Sequence, residues 1–247
     1  LGLDVSLVSA VGDDSNGEFL LDRCRALGMD VSRVRVVPGA RSSSYLYITD
    51  ERGDMQLAVN DMAVCNEISP EYLERVLPGI QAGALVLDTN LPVESLEFIC
   101  RSSCIPLYAD PVSSVKAMKL RSVMKHLRAI KPNALEAAAL TGQTDPELAA
   151  RALIDEGVQR VFISLGTNGM IAAEGSRILR MPSPEANVVN ATGAGDAAMS
   201  AIVWADLHGL SLEDSARAAQ LAGAITCASE ESNAPELSRL PGLLAAE

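Results

Sequence analysis

The sequence predicts an α/β protein: a three-layer α/β/α sandwich on a mostly parallel sheet, with a small β lid. Three observations carry this. From Ser69 onward, short apolar strands alternate with helical patterns, which is how strands buried on both faces by crossover helices read. Ahead of them, Arg33–Val37, Ser43–Thr49 and Met55–Asn60 read as three strands in a row, a local break in that alternation. Finally, Asn190–Ala191–Thr192–Gly193–Ala194–Gly195–Asp196 places two glycines and an acid directly before a long helical stripe.

In chain order, Leu3–Val11 reads as a strand ended by Gly12–Asp13–Asp14, and a helix capped by Ser15 or Asn16 runs to Leu27 with Phe19, Leu20, Cys24 and Leu27 on its stripe. The lid strands cover about residues 33–60, the last two joined through Asp50–Glu51–Arg52–Gly53; an antiparallel extension of the main sheet reads equally well there. Helices follow over Pro70–Leu77, Pro92–Arg101, Leu120–Leu127, Ala134–Leu140 and Pro146–Glu156. They are interleaved with strands at Ala84–Asp88, Pro106–Asp110, Ala129–Lys131 and Arg160–Ser164. A hairpin through Met170–Ala173 and Arg177–Arg180 and helices over Ala194–His208, Leu212–Ser229 and Leu237–Ala246 complete the chain. Asn90, Asp110, Asn133 and Gly166 each follow a strand, so a parallel sheet would gather them at its carboxyl edge, where ligands of such sheets bind.

Composition narrows the function. The 247 residues carry a formal net charge of −12 and 3% aromatic residues, which argues against nucleic acid or an anionic membrane as partner. No apolar run approaches a transmembrane length and no signal-peptide pattern opens the chain, so it reads as soluble and cytoplasmic. Five cysteines without metal-type spacing read as reduced packing residues, and two histidines outside any ligand motif leave zinc without a site.

The Gly193–Gly195 turn delivers the chain to a helix N-terminus, where bare N–H groups and the helix dipole form an anion hole. Asp196 in the first helical turn can accept a hydroxyl proton beside a phosphoryl group held there; an ordinary turn with Asp196 as a cap explains the same residues equally well. Lys131–Pro132–Asn133–Ala134–Leu135–Glu136 places an amide and a carboxylate at a strand-to-helix junction, as a capping box or as a Mg²⁺ site beside a triphosphate. Ser164–Leu165–Gly166–Thr167–Asn168–Gly169 is a strand emptying into a glycine turn, and neither a P-loop nor a Rossmann glycine motif occurs.

These motifs, in this order, resemble the GAGD, K-P-N-x-x-E and S-x-G-x-x-G signatures of the ribokinase-like (PfkB) carbohydrate and nucleoside kinases. The resemblance spans essentially the whole chain and implies a ribokinase-like kinase domain over 1–247. Asp196 would be the catalytic base, with Gly193, Ala194 and Gly195 forming the anion hole. ATP would meet Asn133, Ser164, Gly166 and Gly169, with Gln220 and Asn233 on the adenine side, and Mg²⁺ would be served by Asn133 and Glu136. Asn190 and Thr192 occupy the approach to a K⁺ site, with Asn where Asp is frequent. Val59–Ala63, Asp88–Leu91, Ala109–Ser113 and Lys116 resemble a nucleoside-phosphorylating branch, which implies Asn60, Asp61 and Asn90 toward the nucleoside and Lys116 near phosphate. Lid strands in relatives often pair between subunits, implying a homodimer. In the family a strand with a sugar-binding Asp, a Gly-Gly loop and an Asn-bearing helix come first; none precedes Leu1, so the resemblance implies a domain lacking that βα unit. A kinase for another sugar, or a binding module that no longer phosphorylates, are the alternatives.

Overall fold

A computed structural model describes residues 1–49 and 55–245. The expected Asp50–Glu51–Arg52–Gly53 connection therefore lies outside the described residues, as does the last residue of the expected tail helix. The chain divides into two compact units.

The larger unit contains residues 1–3, 81–89 and 103–247. Its six-stranded sheet has the order β10-β9-β8-β7-β6-β5. Four strands are parallel: β5 (Leu85–Asp88), β6 (Leu107–Asp110), β7 (Leu127–Ile130) and β8 (Arg160–Ser164). β9 (Met170–Glu174) and β10 (Arg177–Met181) add an antiparallel hairpin at one edge. The strands are short and apolar because helices cover them: α5 (Ala134–Thr141), α6 (Pro146–Asp155), α7 (Ala194–Leu207) and α8 (Leu212–Cys227). Tyr108, Phe162 and Ala172 of the sheet pack with Met199, Ile202, Ala216 and Ala219 of α7 and α8. The other side of those helices packs Ala201, Trp204 and Ala222 against Leu240, at the start of α9 (Leu240–Ala245).

The expected helix over Leu120–Leu127 is absent. A four-residue α4 (Ser114–Ala117) and 3-10 turns at Met118–Leu120 and Met124–His126 occupy this stretch, and Leu127 already belongs to β7. All five cysteines are free thiols.

The smaller unit contains residues 4–80 and 90–102. β1 (Ser6–Gly12), α1 (Ser15–Ala26) and β2 (Asp30–Val37) form a βαβ turn with the two strands parallel. Asp14 caps α1, accepting from the Gly17 N–H, in place of the expected Ser15 or Asn16. The expected stripe is also displaced: Phe19, Leu20 and Leu27 are exposed, while Leu21 is buried. β3 (Ser44–Thr49) and β4 (Met55–Asp61) pair antiparallel as a sheet of their own, not as an extension of the main one. α2 (Pro70–Val76) packs against α3 (Val93–Ser102).

Candidate active site

Parallel strands send their carboxyl ends to one edge, and the larger unit collects its polar groups there. Asp88 and Asp110 close β5 and β6 as register partners. Lys131 follows β7 directly, and Ser164 closes β8 where Asn133 bridges to it. Lys131 is 4% exposed, and its Nζ lies 3.0 Å from Asp110 Oδ2. The other oxygen, Asp110 Oδ1, accepts from the Val112 N–H at 3.0 Å. Val112 has φ 64, a conformation that a β-branched residue adopts only under constraint. The constraint is visible: the Thr89 hydroxyl donates to the Pro111 carbonyl, and Lys119 Nζ donates to the Thr89 carbonyl at 2.9 Å.

α7 begins across from this edge. Gly193 takes φ 85 as its N-cap, and a Cβ there would collide with the Ser232 carbonyl, so only glycine serves. Among the described residues, the Gly195 and Asp196 N–H groups take no backbone acceptor, while Ala197 N–H reaches Gly193 O at 2.9 Å. Two bare amides therefore stand at the positive end of a 14-residue helix. Gly195 faces the lysine: a Cβ on it would lie 3.4 Å from Lys131 Nζ.

The Asp196 side chain is open to solvent. Even so, protein packed about the carboxyl pushes its pKa up; Asp110 and Asp88 add to this and Lys131 opposes it. A carboxylate so placed is a better proton acceptor than an ordinary aspartate.

Asn133 and Glu136 form a complete capping box at the start of α5, so the capping reading of this pair holds. Glu136 is 5% exposed, and its pKa is also raised, chiefly by burial and further by Asp110, against the Asn133 N–H and Lys131. Asp196 and Glu136 thus answer to the same two neighbours, Asp110 and Lys131. Among the described residues, no three His, Cys, Asp or Glu side chains group closely enough to hold a metal unaided. The donor set suits a cation that keeps water and brings phosphate oxygens with it, as Mg²⁺ does.

The remaining predicted residues lie as follows. Gly166 (φ 58) and Gly169 (φ 91) make the tight turn after Ser164, and a Cβ on Gly169 would collide with the Met181 carbonyl. A cleft of about 440 Å³ is lined by Asn133, Leu135, Ser164, Gly166, Asn168 and Arg180. Gln220 donates to the Pro182 carbonyl at 2.8 Å, and Asn233 is exposed after α8. Asn190 spends its side chain locally, accepting from Thr192 N–H at 2.9 Å and donating to Glu230 O at 3.2 Å. Lys116 lies in α4. Asn60, Asp61 and Asn90 belong to the smaller unit, where Asp61 accepts from Ala63 N–H at 3.1 Å. The sequence places Asp110 at this edge and Lys131 in the K-P-N-x-x-E motif but gives neither a role of its own. The available signals were a lysine fixed before Pro-Asn and an acid ending a strand, and neither reveals its partner without the β6–β7 register.

A mostly parallel sheet whose carboxyl edge meets a glycine-started helix with bare amides and an acid is the arrangement of a ribokinase-like α/β fold. Ribokinase from Thermotoga maritima superposes with TM-score 0.86 at 20% identity, over 97% of this chain and 81% of that one. The model of the pfkB family of carbohydrate kinases matches residues 1–239, and the chain belongs to that family as a sugar or nucleoside kinase. Pseudouridine kinase of Escherichia coli K12 is 35% identical over 246 residues, covering 96% of this chain and 79% of that protein. An uncharacterized sugar kinase of the same organism, YeiI, is also 35% identical, over 96% of this chain and 68% of its own length. Among the described residues, no helix is long and apolar enough to cross a membrane.

Proposed function

We propose that this chain transfers the γ-phosphoryl group of ATP to the 5′-hydroxyl of pseudouridine, giving pseudouridine 5′-phosphate. The observation that carries the phosphotransfer is the pairing of the bare Gly195 and Asp196 amides with the Asp196 carboxylate at the start of α7. The acceptor oxygen–phosphorus bond forms as the bond to ADP breaks, and Asp196 takes the hydroxyl proton. The Gly193–Asp196 segment holds the equatorial oxygens, and Asn133 and Glu136 would serve Mg²⁺, which neutralises phosphate charge. Ser164, Gly166 and Gly169, with Gln220 and Asn233, would line the nucleotide. Asn60, Asp61, Asn90 and Lys116 would face the nucleoside and its phosphate.

The likeness to pseudouridine kinase supports this acceptor. The equal identity to YeiI supports a second reading, a kinase for another ribosyl or sugar substrate. A panel of pseudouridine, uridine, adenosine, ribose and sugar phosphates, with ADP release as readout, separates them. The proposal stands if pseudouridine gives the highest kcat/KM and falls if a free sugar does. The same assay with K⁺ replaced by Na⁺ tests the cation assignment at Asn190 and Thr192. Leu46, Ile48, Leu57 and Val59, exposed and paired across β3–β4, support a homodimer through the lid.

A further inference from the structure

Lys131 is an expensive residue where it stands. Burying an ammonium costs desolvation that a single carboxylate does not clearly recover, and apolar residues of like volume usually serve a fold as well. Its Nζ lies against the first turn of α7, the positive end of a helix dipole, which disfavours a cation. Asp110, Glu136 and Asp196 offset part of that cost, and the place beside the α7 amides becomes useful when a further anion visits it. The lysine is held there from the acid's side. Asp110 cannot follow it, because Oδ1 is tied to the amide of the strained Val112 and that loop is strapped by Thr89 and Lys119. The surroundings also call for a buried cation: Asp88, Asp110, Glu136 and Asp196 at this edge would together repel a polyphosphate.

We infer that Lys131 is a catalytic residue of the phosphoryl-transfer centre, its ammonium clamped by Asp110 against Gly195 so that it and the α7 amides act on one anion. This rests on the kinase reading. Lys131 exchanges no proton and forms no bond. It fixes the α7 turn and supplies positive charge as negative charge moves onto the leaving and transferring oxygens.

The test uses Lys131→Met and the double variant Lys131→Met/Asp110→Asn, in which no charge is left unpaired and the amide oxygen can still accept from Val112. Thermal melting, kcat, and binding of ADP with Mg²⁺, with and without fluoroaluminate as a phosphoryl mimic, are measured on each. Both variants are expected to bind ADP within about threefold of wild type and to lose about 10²-fold or more in kcat and in fluoroaluminate enhancement. The double variant is expected to melt like wild type. The inference is overturned if the double variant regains kcat, if ADP affinity falls as far as kcat, or if neither variant folds. An active wild type whose variants keep kcat strikes this inference alone. An inactive wild type that binds ADP strikes the proposed function and leaves the fluoroaluminate comparison to decide Lys131; one that does not bind ADP overturns both.

Discussion

Asn133 and Glu136 hold each other: Asn133 Oδ1 accepts the Glu136 N–H at 2.9 Å, and Glu136 Oε2 accepts the Asn133 N–H at 2.8 Å. The cap and the Mg²⁺ readings are therefore not rivals, because the box consumes one carboxylate oxygen while fixing where the group stands. Asn133→Ala removes the cap and should cost about 0.5–2 kcal/mol in stability. Glu136→Gln keeps an oxygen for the cap and loses the charge, so it should melt close to wild type while needing several-fold more Mg²⁺ for half-maximal rate. Melting curves and Mg²⁺ titrations of the two variants check this. Unchanged Mg²⁺ dependence in Glu136→Gln would leave the residue a cap alone.

Asp196 must be ionised to take a proton, and its surroundings hold its pKa above the ordinary aspartate value of about 3.9. The acid limb of kcat against pH should therefore lie above that value, with rate falling as pH drops through it. Asp110→Asn removes a repulsion and should move the limb down, whereas Lys131→Met removes an attraction and should move it up. Asp196→Asn should lose on the order of 10²–10⁴ in kcat. It should not melt lower at neutral pH, because a carboxyl with a raised folded-state pKa favours folding below that pKa and ceases to as pH rises through it. A pH–rate profile with a limb at or below the ordinary value contradicts the assignment.

The elements that position the site were legible because their signals are local. Gly193 and Gly195 ahead of a stripe, or Pro132 pushing Lys131 into extended geometry, need no knowledge of distant chain. Leu120, Val123, Met124 and Leu127 show the limit. They recur at helical spacing and all are buried, yet the backbone there is two 3-10 turns and the start of β7. The periodicity reported which residues the core takes, not the backbone that carries them there. Phe19 and Leu20 fail in the opposite direction, since the turn set by the Asp14 cap carries Leu21 inward instead. The Lys131–Asp110 pair depends on the β6–β7 register, which no spacing within either strand encodes.

Asp206 offers a stability test separate from catalysis. Burial alone would raise its pKa, but hydrogen bonds from Arg128 and Tyr108 and the charges of Arg128 and Arg160 outweigh it and hold the carboxyl below its usual range. Arg128 binds both oxygens, at 2.8 and 2.6 Å, Tyr108 donates to one, and Arg160 lies 3.1 Å away while also pairing with Glu174 at 2.7 Å. A depressed folded-state pKa means the network stabilises fully above the unfolded value of about 3.9 and is lost as pH falls through the folded one. Asp206→Asn takes the carboxylate from Arg128, which keeps Gln159, and one of two carboxylates from Arg160, which keeps Glu174, so it should cost about 1–3 kcal/mol at neutral pH, with a shallower loss of stability toward acid than wild type shows. Tyr108→Phe keeps the ion pairs and removes one hydrogen bond, so about 0.5–1.5 kcal/mol is expected. Because Asp206 lies at the far end of α7 from Asp196, kcat at a temperature where the Asn variant is folded should match wild type. A variant that melts like wild type would mean the guanidinium groups find other partners, and a lost kcat in a folded variant would mean α7 transmits the change along its length.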